Sequence, residues 1–395
     1  MEEEQGLGDL RLQPLKYHQN LVAYLKEAEP HVWAWAQSAD VRKQQADEVR
    51  DAMLRQTYRL EPHAHPAGFK ACHAAMDKLR IHAPVTLYQA ADGTMNASLC
   101  FIPGEIHLIF YGPILERLDA GELLALMGHE LAHYCLWSDE DGAFFNASRI
   151  LDHTLSYPDA SPSHRETARL LSLHTELYAD RGSAIAVGDI TPAISVLVKT
   201  MTGLSAVDPA AYLRQAEELE GSNAKSMGNT HPEAFLRARA LDLWWRKDPD
   251  LEAWLEKRLH GPLSIEALDL VRQQELTRLT KRFFVRFLGQ VEGTSEEVLI
   301  QVRRFFPEFE SGKEPLDYQE IGVARIDDPT RNYFIALMFD CAMANPDTRD
   351  HVMLAAARTA EAIDATALFK AALKRDLGWT KQMIDRLVAQ AAKTA

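Results

Sequence analysis

Cysteines are few in this chain of 395 residues, and they do not form pairs. Cys72, Cys100, Cys135 and Cys341 stand apart, without a C-x-x-C motif and with apolar or aromatic neighbours. Disulfide frameworks and cysteine-rich metal sites both require clustered cysteines. We therefore expect reduced cysteines that pack in the interior of a cytoplasmic protein.

Long apolar runs and an excess of positive charge are also missing. No window approaches the run of about 18 apolar residues that a transmembrane helix needs, so we expect no membrane span. The acidic start, Met-Glu-Glu-Glu-Gln, predicts no signal peptide. A formal net charge of −14 argues against general binding to nucleic acid or to an anionic membrane. With 47% apolar and 25% charged residues, the composition is typical of a soluble globular protein.

One predicted helix carries histidines among apolar residues. Asp119 and Glu122 form a capping box, which predicts that a helix begins there and runs to about Trp137. At a spacing of four residues, His129 and His133 lie one turn apart on the same face of this helix. They can therefore hold one metal ion together.

Glu130 lies between these histidines and points about 100° away from His129 around the helix axis. It can reach a water molecule at the metal without being a ligand, which is the arrangement of zinc hydrolases. The alternative is an ordinary buried helix whose histidines form hydrogen bonds in a core.

Strand-like segments precede this helix. They are predicted at 85–88, 97–102 and 106–110. Pro103-Gly104 suits a type II turn, so the last two segments form a hairpin. In zinc peptidases an extended substrate adds to a strand beside the metal helix, which makes Asn96, Ala97 and Ser98 candidates for substrate binding. A hairpin with a purely structural role is equally compatible with these residues.

A second helix is predicted from about 164 to 187, with a capping box at Ser163–Glu166 and Gly188 as its end. Glu176 and Asp180 lie one turn apart on it, and a catalytic zinc site needs a third ligand from elsewhere in the chain. Acidic pairs at this spacing are also common on a solvated helix face.

The rest of the chain is predicted to be helical. Thr191-Pro192 and Asp208-Pro209 mark the starts of two short helices, and Thr230-His231-Pro232 opens a third. Beyond about 248 the predicted helices are 264–290, 295–309, 330–345, 348–361, 364–375 and 378–392. The sequence thus predicts three parts: an N-terminal helical segment (1–60), a core domain (61–247) and an all-helical recognition or regulatory domain (248–395).

With these elements in order, the middle of the chain resembles the gluzincin metallopeptidases of the HtpX and CAAX prenyl protease type. The similarity covers about residues 84–245 and rests on four blocks in the family's order. They are Asn96-Ala97 with Pro103-Gly104, Asp119 to His133, Glu176-Leu-Tyr-Ala-Asp180, and Thr230-His231-Pro232 with Arg237. The resemblance implies an α+β, predominantly helical protein, in which a zincin-like core with a small sheet precedes an all-α C-terminal domain.

The resemblance also implies a catalytic site. One Zn²⁺ per chain would be held by His129, His133 and Glu176, the last from the family's E-x-x-A-D element. Glu130 would be the general base that takes a proton from a water held by the zinc. Asp180 would orient a ligand histidine through its second ring nitrogen.

Two residues of the last block each have more than one candidate role in this scheme. His231 is a candidate for a second oxyanion donor or for a gate at the zinc, and Arg237 for a structural clamp. Their alternative roles are a helix start and a surface position.

Two functions follow as hypotheses. The first is a soluble, cytoplasmic zinc metalloendopeptidase that cleaves extended or unfolded protein segments. The second is a peptidase-like binding or chaperone module in which the helical part 248–395 is the adaptor domain. A regulatory or adaptor protein that binds through 248–395 is a candidate partner. Because the ligands and the base are all present, the sequence favours the enzyme.

Overall fold

The computed structural model describes residues 12–91, 93–219, 225–291, 293–310 and 314–393. The chain divides into two compact units, Met1–Gly261 and Pro262–Ala395. The first combines helices with a small sheet, and the second consists mainly of helices. The fold class is therefore α+β and predominantly helical, as the sequence predicted. The division into three parts stays a prediction.

The sheet of the first unit has four strands. These are β1 (Thr57–Arg59), β2 (Val85–Ala90), β3 (Asn96–Ile102) and β4 (Glu105–Tyr111), in the spatial order β1-β2-β4-β3. The predicted hairpin is confirmed as β3 and β4, and Gly104 in its turn has a φ of +81°, as a type II turn requires. β2 runs parallel to β4, and β3 forms one edge of the sheet.

The helices of this unit, in chain order, are α1 (Lys16–Ala28), α2 (Pro30–Ala36), α3 (Ala39–Gln56), α4 (Pro66–Leu79), α5 (Ile114–Arg117), α6 (Ala120–Ser138), α7 (Ala143–Leu155), α8 (Pro162–Val187), α9 (Thr191–Thr202), α10 (Pro209–Glu218), α11 (Ala234–Trp245) and α12 (Leu251–Leu255). A 3₁₀ turn (Asp139–Gly142) joins α6 to α7, and a π-helical turn (Glu256–His260) follows α12. The sequence analysis did not anticipate α7 or the short strand β1.

All four cysteines are free. Over the described ranges, every helix is too short or too polar to cross a bilayer.

α6 begins as the capping box predicted. Asp119 accepts a hydrogen bond from the Glu122 backbone N–H, and the Glu122 carboxylate accepts one from the Asp119 N–H. Glu122 also forms a buried ion pair with Lys199 of α9, at 2.6 Å between Nζ and the carboxylate. These contacts fix the first turn of α6 and its position against α9.

The capping box predicted for α8 was wrong. The helix begins at Pro162, and Ser161 is its N-cap, accepting a hydrogen bond from the His164 N–H. Proline is favoured in the first helical turn, where its missing N–H has no partner to lose, so the start shifts toward Pro162. Gly188 ends the helix with a φ of +81°, as predicted.

α6 and α8 pack closely because glycines face each other at their crossing. A Cβ at Gly128 would lie 2.5 Å from the Ala186 Cβ and 2.8 Å from the Gly182 carbonyl oxygen. A Cβ at Gly182 would lie 2.4 Å from the Ala132 Cβ. The hydroxyl of Ser183 on α8 also donates to the Ala125 carbonyl of α6 at 2.8 Å. The two backbones therefore approach as only glycine permits.

We expect Gly128→Ala to push α6 and α8 apart. The extra methyl meets a backbone oxygen, which cannot rotate away, and overpacking of this kind costs about 1–3 kcal/mol of unfolding free energy. The measurement is chemical unfolding. Gly121→Ala on the same helix is the matched control, because its Cβ would meet ordinary contacts of 3.4 and 3.8 Å. Equal stability of the two variants would contradict the tight crossing.

The second unit has its own helices and core. Its helices are α13 (Leu270–Leu288), α14 (Glu296–Phe305), α15 (Asp328–Ala344), α16 (Arg349–Ala362), α17 (Thr366–Leu377) and α18 (Lys381–Ala391). The first begins at Leu270 and not at about 264, because the Asp269 carboxylate caps it by accepting from the Val271 and Arg272 N–H groups. Phe283, Phe334 and Phe369 are completely buried in this core.

Candidate metal centre

Three side chains with metal-ligating atoms meet where α6 crosses α8. His129 and His133 come from α6 and Glu176 from α8, and one nitrogen or oxygen of each lies within 4.8 Å of the others. The distance to a Glu176 carboxylate oxygen is 3.5 Å from His129 Nε2 and 3.7 Å from His133 Nε2. The helical repeat places the two histidines on one face of α6, and the packing of α8 against α6 brings Glu176 next to them.

These residues fit a metal ion. Ligand atoms at about 2.1 Å from a tetrahedral ion are about 3.4 Å apart, close to the observed separations. Glu176 Oε2 is buried and has no hydrogen bond of ordinary geometry in the described part of the chain, although Arg237 Nη1 and His129 Nε2 lie 3.2 and 3.5 Å from it. A carboxylate oxygen has two lone pairs, so it can still bind a cation. The side chains of His129 and His133 remain 15% and 14% exposed, which leaves a path for an ion from solvent.

Asp180 and Arg237 contact two of the candidate ligands, His129 and Glu176. Asp180 Oδ1 lies 3.2 Å from His129 Nδ1, so the ring can donate there and turn Nε2 toward Glu176. Arg237 of α11 donates from Nε and Nη2 to the two Asp180 oxygens, at 2.8 and 2.6 Å. Its Nη1 also lies 3.2 Å from Glu176 Oε2. One guanidinium thus connects α11 to both acidic residues of α8.

Burial and these contacts set the charges of the three side chains. Burial alone would lower the pKa of His129, but its contacts with Asp180 and Glu176 raise that pKa to about 10. Burial lowers the pKa of His133 to about 4. Burial would raise the pKa of Glu176, but Arg237 and His129 hold it well below its usual range. His133 is therefore neutral and Glu176 anionic, the forms that bind metals, while a metal at His129 must displace a proton.

Glu130 is buried beside the ligands and differs from them electrostatically. Burial raises the pKa of its carboxyl to about 7. The backbone of Leu99 in β3 hydrogen-bonds this carboxylate, so the edge strand lies directly against the centre. A carboxylate with a raised pKa is a stronger base than an exposed glutamate.

The other predicted site residues lie around the centre. His231 belongs to the segment before α11; its side chain is 56% exposed, and its Nε2 lies 3.5 Å from Glu176 Oε1. Asn96, Ala97 and Ser98 begin the edge strand β3, and the Ser98 hydroxyl pairs with the Tyr111 hydroxyl at 3.2 Å. The sequence analysis missed Leu99, because the register of β3 against α6 leaves no mark in the sequence.

Comparison with known proteins finds one similar metallopeptidase. The chain is 27% identical over 194 residues to plastoglobule-localized metallopeptidase 48, a chloroplastic protein of Arabidopsis thaliana. The aligned region covers 44% of this chain and 55% of that protein, so the chain spans about half the length of the curated relative it matches. No protein-family model matches the chain, and no solved structure matches it significantly.

This similarity supports a distant relationship to metallopeptidases. The narrower assignment, to the HtpX and CAAX prenyl protease type, stays a prediction, as does a cytoplasmic location. The roles of the individual site residues are also predictions.

Proposed function

We propose that this chain is a zinc-dependent endopeptidase that cleaves extended segments of proteins. The observation that carries the proposal is the meeting of His129, His133 and Glu176 beside a buried glutamate and an edge strand. The distant similarity to a metallopeptidase supports it. A structural histidine cluster would need neither a base nor an open strand at the same place.

His129, His133 and Glu176 would hold the ion. Two histidines and one carboxylate form a catalytic zinc set, which leaves a coordination position for water or substrate. When bound, Zn²⁺ supplies Lewis acidity, which polarises the scissile carbonyl and makes water more acidic. Asp180 would keep the His129 ring oriented, and Arg237 would keep Asp180 and Glu176 in place.

Glu130 would move the proton. Its carboxylate accepts a proton from the attacking water and then delivers it to the nitrogen of the leaving amine. Burial favours this role, because it raises the pKa of the carboxyl and so strengthens the carboxylate as a base. The Leu99 hydrogen bond would hold the carboxylate toward the strand.

The edge strand β3 would position the substrate. Its partner β4 occupies one side, so an extended peptide can add to the other side by backbone hydrogen bonds. Asn96, Ala97 and Ser98 would belong to this binding strand, and Leu99 brings it to Glu130. A folded substrate cannot offer such a strand without local unfolding.

The test is cleavage of an unstructured protein such as casein by the purified chain. We expect cleavage that stops on treatment with a chelator and returns when Zn²⁺ is added back, because the ligands hold an exchangeable ion. Cleavage products are followed by mass spectrometry. Binding of casein without any cleavage, in protein that contains zinc, would instead favour the binding or chaperone module.

His231 would donate to the substrate. Its exposed ring lies close enough to Glu176 to reach a carbonyl at the centre. We expect His231→Ala to lower kcat by about 10-fold or more, as loss of an oxyanion donor does, without loss of metal. Faster cleavage by this variant would show that His231 is a gate, and an unchanged rate would leave it a surface residue. The exposed His73→Ala of α4 is the matched control.

A further inference from the structure

A pocket of about 320 Å³ lies at the C-terminal end of α6, the helix that carries His129 and His133. Its walls are aromatic: Phe101 of β3, Tyr134 and Trp137 of α6, and Phe145 of α7. The Phe101 ring lies 5.7 Å from Tyr134 and 4.5 Å from Phe145, and Trp137 lies 6.1 Å from Phe145, between ring centroids. Such a wall has a large apolar surface that a bulky apolar group can cover.

The pocket is continuous with the edge strand. Side chains of a strand alternate between faces, so Leu99 and Phe101 share a face about 7 Å apart. Both pack against the core that contains α6, whereas Cys100 and Ile102 pack on the other face of the sheet. Leu99 touches Glu130 through its backbone. The pocket therefore begins two residues along the strand from the candidate base.

A peptide added to β3 follows the same spacing. Every second side chain of the peptide points to the face that Phe101 shares with α6. The residue that reaches the pocket is thus about two to four positions from the bond beside Glu130, given about 3.3 Å per residue. Tyr134 lies four residues after Glu130 in α6 and so shares a helix face with it, which places this part of the pocket wall one turn from the candidate base.

The rim of the pocket restricts which side chains can enter. Asp141 and Ser138 are exposed and line it. The Asp141 carboxylate repels another carboxylate, and none of the residues that line the pocket carries a positive charge. The occupant that fits best is therefore large, apolar and not anionic.

We propose that this aromatic pocket is a specificity site that takes a large apolar side chain of the extended substrate, and that it disfavours Asp and Glu. The proposal rests on the proposed peptidase function. It adds to that function a rule for which segments are cleaved: those with a bulky apolar residue about two to four positions from the cleaved bond.

The first experiment uses short peptides of alanine and serine in which one Phe is moved position by position, with a matching Glu series. With the zinc-loaded wild-type protein, Phe at one position should raise kcat/KM by about 10- to 100-fold over Ala, the usual value of a filled apolar pocket. Glu at that position should lower kcat/KM. Equal values for Phe, Ala and Glu at every position overturn the proposal.

Variants connect the preference to the pocket. Ser138→Trp should fill the pocket and remove the advantage of Phe, whereas Ser156→Trp, the same change at the exposed end of α7, should keep it. Phe145→Ala, which removes one wall, should also reduce the advantage and provides a second variant if the first does not fold. If both Ser138→Trp and Phe145→Ala keep the wild-type preference for Phe, another part of the protein determines specificity, and the proposal is overturned.

Binding separates this proposal from the proposed function. The same peptides are titrated calorimetrically into the Glu130→Gln protein, with and without Ser138→Trp. If no peptide is cleaved by the wild type, the peptidase function fails. If the Phe peptide nevertheless binds more tightly than the Ala peptide, and Ser138→Trp removes this difference, the proposed specificity pocket is supported. Equal binding of the Phe and Ala peptides overturns it.

Discussion

Glu130→Gln is expected to reduce the rate of peptide cleavage by about 10²-fold or more, the scale of losing a general base. The amide keeps the size of the side chain and can still contact Leu99, but it cannot accept a proton. Because Glu130 is not one of the proposed ligands, the zinc content should stay at the wild-type value. The measurement combines initial rates on an unstructured protein with elemental analysis.

Glu116→Gln on α5 is the matched control for this variant, since the same change at an exposed position should leave the rate unaltered. A Glu130→Gln protein that cleaves at the wild-type rate would show that the proton moves through another group. One that has lost its metal would show that Glu130 is a ligand, contrary to the proposed assignment.

His133→Ala and Glu176→Ala are expected to lose most of the bound metal. Changes behind a metal site typically cost about 10- to 100-fold in affinity, and removal of a direct ligand should cost more. Purified wild-type protein should contain about one zinc per chain. Metal content after dialysis, with His73→Ala as the control, checks both variants. An unchanged metal content in His133→Ala would show that His133 is not a ligand and would contradict the proposed site.

The contrast among these variants identifies the role of each residue. Glu130→Gln should lose activity and keep metal, whereas Glu176→Ala should lose both. Removal of Glu176 also leaves Arg237 with one carboxylate partner instead of two, because it contacts Asp180 as well. A fall in stability of Glu176→Ala without metal present would report the loss of its contacts with Arg237 and with the neighbouring histidines, so unfolding should be measured with and without zinc.

The second unit has its own helices and an aromatic core. The role of 248–395 in recognition or regulation stays a prediction from the sequence.

The local patterns of the sequence determined the elements and the order of the candidate ligands. The capping box of Asp119, the turn at Gly104 and the stop at Gly188 each depend on a few neighbouring residues, so composition and spacing reveal them. The same holds for His129 and His133, since their common face is fixed by the helical repeat alone. The start of α8 was predicted wrongly, because the pattern at Ser163–Glu166 resembles a capping box, whereas Ser161 is the N-cap and Pro162 begins the helix.

Only the tertiary structure decided what meets these histidines. Glu176 lies 43 residues after His133 (176 − 133), and no local rule gives the distance between them. That distance follows from the crossing of α6 and α8, which depends on the absent side chains of Gly128 and Gly182. The contact of Leu99 with Glu130 and the aromatic pocket beside it likewise depend on the register of β3 against α6. Contacts between elements are set by packing over the whole unit, and a single sequence does not display them.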